Sequence, residues 1–251
     1  MTAWRLPAAA LALASCALAV PARASDATTD VEVSRITLKL PGDAGWAVSE
    51  ALPFGMAVQD KGLAVGGQTR LLVAGQPGTR DELVLLVTAT RGQGGITMHG
   101  ECEPADHLYV HKYNRGISTY IPLQCLRVAG PVRVLPEDLP TIDETLGRAM
   151  VAQKVVPPPG GYVVMLTVSN DNGAMVEITG LVGTHLVGLD AKPASATLPE
   201  GMPPAIAAWA DKLGDEALGT LSSWSGRMTV PPVVFKAPAR PGQPLNTAQK
   251  D

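Results

Sequence analysis

The segment Leu83–Ala89, Leu-Val-Leu-Leu-Val-Thr-Ala, is a nearly continuous apolar run. It is preceded by Gly-Thr-Arg-Asp and followed by Arg-Gly-Gln-Gly-Gly, so turn-forming residues limit it on both sides. A short apolar run between such limits is typical of a strand that is buried on both of its faces. We therefore predict that Leu83–Ala89 is the central strand of a sheet.

The residues before and after this run also have the patterns of strands. In Arg35–Leu40, Ile36, Leu38 and Leu40 alternate with polar residues, as expected for a half-buried strand. Further strands are predicted around Trp46 and at Gln68–Ala74, Ile96–Cys102, His107–Tyr113 and Ile117–Leu123. The turn Asn114-Arg115-Gly116 would join the last two strands as a hairpin.

Helical patterns occur after Gly130-Pro131. Thr141 and Glu144 form a T-x-x-E capping box, and apolar residues at helical spacing continue to about Lys154. A second amphipathic helix is predicted from Pro204 to Trp224. The segments Tyr162–Ser169 and Met175–Leu181 are predicted to form a hairpin, and Met228–Phe235 an edge strand.

Together these elements predict an α+β fold. We expect a mainly antiparallel sheet of about seven to nine strands, with two amphipathic helices packed on one face. Residues 25–235 would form a single globular domain, β-rich at about 31–130 and α+β at about 131–235. Residues 236–251 are poor in apolar side chains and are predicted to be a disordered tail.

The first residues have the three parts of a secretory signal peptide. Arg5 is followed by the mostly apolar stretch Leu6–Val20 and then by Ala22-Arg23-Ala24, a small-residue cleavage site. We predict that residues 1–24 are removed and that the mature chain is periplasmic or secreted. The apolar stretch is shorter than the roughly 20 residues of a membrane-spanning helix, so the mature chain is predicted to have no transmembrane segment.

Cys16 allows an alternative form of export. Leu13-Ala14-Ser15-Cys16 resembles the lipobox at which bacterial lipoproteins are cut and acylated. Against this, apolar residues continue through Val20, where a polar tether would be expected. Lipidation of Cys16 is therefore the second hypothesis for localisation.

The charge of the mature chain argues against nucleic acid as a partner. Removal of Arg5 and Arg23 from the 20 basic residues leaves 18, against 23 acidic residues. The remaining Lys and Arg residues are scattered, whereas nucleic-acid binding is expected to show a basic patch or a strongly basic domain.

The two remaining cysteines, Cys102 and Cys125, are predicted to form a disulfide, because exported proteins mature in oxidising compartments. Such a crosslink stabilises the fold by roughly 3 kcal/mol in the chain-entropy model. With His107 and His111 the cysteines also make a zinc-like spacing. On a strand, however, the two histidines lie roughly 13 Å apart, too far to share one ion. No metal site is therefore predicted.

His107, Tyr109, His111 and Tyr113 alternate along one predicted strand, so they share one of its faces. This strip is our candidate for ligand binding. The competing interpretation is a solvent-facing strip, with Leu108 and Val110 packing on the core behind it.

We find no catalytic or cofactor motif that outweighs a structural explanation, and no cofactor is predicted. There is no G-x-S-x-G nucleophile elbow, and the predicted disulfide consumes both thiols. The expected function is therefore non-enzymatic binding of an unidentified protein or small molecule in the cell envelope. One alternative is a hydrolase or metal-dependent enzyme using His99, His107 or His111, and another is a structural protein tethered through a lipid on Cys16.

Overall fold

The computed structural model describes most of the chain between residues 28 and 235. The described residues are 28–42, 44–58, 63–75, 81–90, 102, 108–112, 124–133, 144–170, 173–187, 192–194, 197–222 and 226–235. The predicted signal peptide, the predicted tail, Cys16, His99, His107, Tyr113 and the segment Ile117–Leu123 lie outside them.

The fold is α+β, as predicted, and its largest element is an antiparallel sheet of eight strands. The strands of the chain are β1 (Thr29–Val33), β2 (Ile36–Leu40), β3 (Ala47–Val48), β4 (Leu52–Val58), β5 (Leu63–Gly75), β6 (Asp81–Thr90), β7 (Leu108–Lys112), β8 (Gln124–Arg133), β9 (Gly160–Ser169), β10 (Met175–Gly183), β11 (Leu186–Val187), β12 (Arg227–Thr229) and β13 (Val234–Phe235). The main sheet has the order β3-β5-β6-β10-β9-β8-β7, and β4 also pairs with β5.

The run Leu83–Ala89 lies in β6, inside the sheet between β5 and β10, and all its residues are buried. The prediction of a central strand buried on both faces is therefore confirmed. The predicted β-rich and α+β parts of the chain share this sheet. β7 from the first part and β9 from the second part both pair with β8.

Two smaller sheets complete the β structure. In one, β2 pairs with β1 and, in parallel, with β12; in the other, β11 pairs with β13. The alternation predicted for Arg35–Leu40 is confirmed, because Ile36, Leu38 and Leu40 are buried while Thr37 and Lys39 are half-buried.

Two helices, α1 (Glu144–Ala152) and α2 (Pro204–Ser222), pack on the main sheet. The larger core joins α2 and the β1-β2-β12 sheet to one face of the main sheet, through residues such as Leu38, Leu85 and Trp209. The smaller core joins α1 to the other face, through residues such as Val84 and Met150. The helices thus lie on opposite faces, which differs from the predicted placement on one face.

The strands explain this difference. Leu83, Leu85 and Val87 belong to the larger core, whereas Val84 and Leu86, between them in sequence, belong to the smaller one. A strand with apolar side chains on both faces needs a cover on each, because exposed apolar area is unfavourable in water. One helix is therefore needed on each side.

The described partner of β7 is β8, with Leu108 opposite Ala129 and Lys112 opposite Cys125. The segment Ile117–Leu123, which we predicted to pair with β7, lies outside the described residues. β8 can take this position because its Leu126 and Val128 fill the larger core while its other edge pairs with β9.

The predicted disulfide is confirmed. Cys102 and Cys125 are bonded, are both buried, and have Cα atoms 5.3 Å apart. Cys125 lies in β8, so the bond fixes the chain before β7 to the strand that pairs with β7.

Two buried aromatic side chains fix the segments around α2. The indole Nε1 of Trp209 donates to the carbonyl of Pro231 at 3.2 Å, and the Tyr162 hydroxyl donates to the carbonyl of Gly201 at 2.9 Å. Burial raises the pKa of the Tyr162 phenol above its ordinary value, because the charged form would lose hydration. Trp209 is part of the larger core. Trp224 lies outside the described residues.

Gly67 gives a direct test of the packing of β5 against β6. A Cβ atom at Gly67 would collide with the Ala89 carbonyl oxygen and lie 2.9 Å from the Thr90 Cα, whereas a Cβ at Gly66 meets nothing within 4 Å. Backbone atoms cannot rotate away, so we expect Gly67→Ala to lower the free energy of unfolding by about 2 kcal/mol. Gly66→Ala should stay within about 0.5 kcal/mol of wild type. Urea unfolding measures both, and equal stabilities would contradict the described contact.

Candidate functional site

A buried carboxylate on α2 forms hydrogen bonds with three groups from two separate parts of the chain. Oδ2 of Asp211 accepts from the Tyr109 hydroxyl at 2.6 Å and from the backbone N–H of Ala194. Oδ1 lies 3.0 Å from Nδ1 of His111. Because a carboxylate has acceptors only, Nδ1 is the donor in this contact. We call Asp211, Tyr109 and His111 the Asp211 cluster.

Two local patterns bring these side chains together. Alternation along β7 puts Tyr109 and His111 on one face of the strand, and that face points toward α2. On α2, Asp211 lies among the buried residues of the helix, and it is itself buried. The cluster thereby joins an edge strand, the segment before α2 and α2 itself.

The predicted strip of histidines and tyrosines is only partly described. Tyr109 is 1 % exposed and belongs to the larger core, so the interpretation of a solvent-facing strip is wrong for this residue. Val110, expected to pack on the core, points to the opposite face of the sheet and is half-buried. The His111 side chain is 26 % exposed. His107 and Tyr113 lie outside the described residues, and ligand binding by the strip remains a prediction.

Three of the four residues with zinc-like spacing have other interactions, and the fourth, His107, lies outside the described residues. Cys102 and Cys125 are bonded to each other, and Nδ1 of His111 contacts Asp211. Within the described part of the chain, no three His, Cys, Asp or Glu side chains converge as a metal site.

The Asp211 cluster can hold an imidazole ring in a fixed orientation. A carboxylate on Nδ1 sets the tautomer and the direction of a histidine ring, as acid–base sites require. The same bonds also fasten β7 to α2. Asp211 was not predicted as a site residue, because it lies about 100 residues from Tyr109 and His111 in the chain. The local sequence did contain one indication of a site, because Asp211 is an acidic residue on the apolar side of a predicted helix.

A second candidate lies on the opposite face of the main sheet, beside α1. It is a groove of about 190 Å³. It is lined by Ala47, Val48, Ser49, Leu71, Val73, Gln153, Lys154 and Val155. Val48 in this lining is 37 % exposed, and Val151 and Val156, close in sequence to the lining residues Gln153–Val155, are 65 % and 58 % exposed. The lining is apolar on the strands β3 and β5 and at Val155, and it is polar at Ser49, Gln153 and Lys154.

Lys154 has an uncommon backbone conformation at the rim of this groove. Its φ is +55°, in the left-handed region. Its N–H donates to the carbonyl of Val151 at 3.1 Å, and the next N–H, of Val155, donates to Met150 at 3.0 Å. These two bonds form a Schellman cap, in which the left-handed residue is usually glycine. For a residue with a Cβ this conformation costs about 1–2 kcal/mol.

Neither helix of the described residues is long and apolar enough to cross a membrane. Comparison of the chain with protein-family models, with curated proteins and with solved structures finds no significant match.

A double-mutant cycle tests the Asp211 cluster. Asp211→Ala removes the acceptor of the buried Tyr109 hydroxyl and of the Ala194 N–H, so we expect it to lower the free energy of unfolding by about 3 kcal/mol. Tyr109→Phe should cost about 1 kcal/mol. The double variant should cost about 1 kcal/mol less than the sum of the two, because both changes remove the same bond.

The control for this cycle is Lys212→Ala, the exposed neighbour of Asp211 on the same helix. It should change the free energy of unfolding by less than about 0.5 kcal/mol. Strictly additive effects of Asp211→Ala and Tyr109→Phe in chemical unfolding would show that the two side chains are not coupled.

Proposed function

We propose that this chain is an exported, non-enzymatic protein of the cell envelope that binds a small amphipathic acid in the groove beside α1. The observation that carries the proposal is Lys154, a lysine in a left-handed backbone conformation at the rim of an apolar groove. The periplasm is the compartment we propose.

The lining of the groove supports binding of a small molecule. Leu71 and Val73 of β5, Val48 of β3 and Val155 provide an apolar surface, and a few polar groups stand beside it. Concave apolar sites with a small number of polar groups are typical of ligand pockets. The volume of about 190 Å³ is below the roughly 300–1,000 Å³ of drug-sized ligand sites, so the proposed ligand is small, with a short apolar chain or one ring.

The charge of Lys154 supports an acidic group on that ligand. The side chain is exposed, and none of the acidic side chains in the described residues forms an ion pair with it. An ammonium beside an apolar surface pairs well with a carboxylate whose apolar part lies on that surface.

The backbone of Lys154 supports a role for its side chain. Glycine would satisfy the cap at lower conformational cost, so lysine is a locally unfavourable choice. Residues kept in such conformations are concentrated at functional sites. A lysine at a helix C-terminus also gains about 0.3–1 kcal/mol from the helix dipole, which is less than the cost of its left-handed conformation.

Lys154→Gly separates the ligand role from the structural one. We expect this variant to be at least as stable as wild type, because glycine relieves the left-handed conformation. Its affinity for hexanoate should be about tenfold lower, which is the worth of one charge-assisted hydrogen bond. The measurement is a titration of backbone amide NMR shifts at residues 47–49, 71–73 and 153–155.

Two controls sharpen this titration. Lys154→Arg keeps the charge and should keep hexanoate binding, and hexanol, which has no charge, should bind equally to wild type and Lys154→Gly. If hexanoate leaves the groove amides of wild type unchanged, or binds Lys154→Gly as tightly, the proposed ligand class is wrong. Shifts produced only by another protein would assign the groove to a protein partner instead.

Export is supported by the three-part leader and by the disulfide, since disulfides persist mainly in oxidising compartments. The intact mass of the protein from its native host tests this. We expect a chain that begins at Ser25 and has lost the two hydrogens of the Cys102–Cys125 bond. Retention of residues 1–24 would refute cleavage, and a lipid on Cys16 would favour the alternative of a tethered envelope protein.

A second candidate function is a periplasmic hydrolase or another histidine-dependent enzyme. The contact of His111 Nδ1 with the Asp211 carboxylate favours it, because this pairing orients an imidazole for proton transfer. A turnover that His111→Gln abolishes while the fold is retained would favour this function over binding alone.

A further inference from the structure

Arg127 is a basic residue on β8, on the side of the main sheet that α1 covers. Leu126 and Val128, its neighbours in sequence, fill the larger core on the α2 side, so alternation directs Arg127 to the other face. Its register partners there are Val110 on β7 and Met165 on β9. Its neighbours across the strands are therefore apolar.

The guanidinium of Arg127 has a donor that is not satisfied. Its Nε atom is buried and has no hydrogen-bond partner among the described residues. The ion pairs of the described residues do not include Arg127 either. Burial of a donor on a charged group without an acceptor is strongly unfavourable, and native proteins rarely leave one in this state.

The chemistry of the donor indicates what would satisfy it. Nε and the adjacent Nη of an arginine are two parallel donors, spaced to match two oxygens of a carboxylate or phosphate group. The apolar neighbours strengthen such a contact, because they lower the local dielectric. The nearest hydroxyl by strand register, on Thr167, is diagonal to Arg127 on β9 and adds a polar group at this position.

We propose that Arg127 is the centre of an oxyanion-binding site that binds a carboxylate or phosphate group through Nε and one Nη. The site is separate from the groove. From β5 to β8 the order of strands is β5-β6-β10-β9-β8, which is four spacings or about 19 Å. A ligand in the groove therefore does not reach Arg127. Evidence against binding at one of the two sites would not refute binding at the other.

Anion-dependent stability tests this site. The probes are sodium phosphate and sodium acetate, each compared with sodium chloride at equal ionic strength. We expect one of the two to raise the melting temperature of wild type and to shift the amide resonances around residues 125–129 and 163–167. A larger effect of phosphate would indicate a phosphate ligand, and a larger effect of acetate would indicate a carboxylate ligand.

Three variants assign the effect to Arg127. Arg127→Met keeps the length of the side chain and removes the donors, so it should bind the effective anion at least tenfold more weakly. Arg127→Lys keeps the charge without the paired donors and should be intermediate. Arg148→Met removes an exposed arginine on α1, whose side chain is 74 % exposed, and should behave as wild type.

A structural role for Arg127 gives a different result. Arg127→Met is expected to be at least as stable as wild type in chloride, because it removes an unsatisfied donor. Equal responses of wild type and Arg127→Met to both anions, or no response of wild type, would overturn the proposal. If Arg127→Met does not fold, the Nε–Hε resonance of Arg127 in wild type is followed instead. The proposal requires this resonance to shift with anion concentration, and a constant resonance would overturn it.

Discussion

The main sheet is apolar on both of its faces, and the rest of the fold follows from the need to exclude water from each. α2 and the β1-β2-β12 sheet cover one face with the larger core. On the other face the described residues contribute one helix, α1, of nine residues. A helix of this length is about 14 Å long, whereas the seven strands in line span about 29 Å. The cover is therefore shorter than the surface beneath it.

The two candidate binding positions of this face lie at the margins of α1. The groove lies where the chain leaves the helix, over β3 and β5, and Arg127 lies toward the opposite edge, on β8. Apolar surface and an unsatisfied charged donor are unfavourable in a protein that only has to fold. Both features lie on the face for which the described residues provide the smaller cover, and both of our binding proposals therefore concern this face.

Features that depend on neighbouring residues could be predicted from the sequence. Alternation in Ile36–Leu40 and the apolar run of β6 predicted strands, and the spacing of Ile206, Trp209 and Leu213 predicted α2. Features set by distant contacts could not. The face on which a helix packs, the pairing of β7 with β8, and the meeting of Asp211 with Tyr109 depend on residues that are far apart in the chain. Whether the Nε atom of Arg127 has a hydrogen-bond acceptor depends on residues from other strands, so the local sequence does not predict it.

The disulfide has a consequence for how two copies of this protein can associate. Among the described strands β7 lies at the edge of the main sheet, and the bond between Cys102 and Cys125 closes a covalent loop that contains the whole of it. An edge strand is the element that neighbouring molecules most easily exchange or extend. While the loop is closed, β7 cannot leave as a free end to replace its counterpart in a second molecule. The closed disulfide would then limit strand exchange between copies, and a chain that folded with reduced thiols would lack this protection.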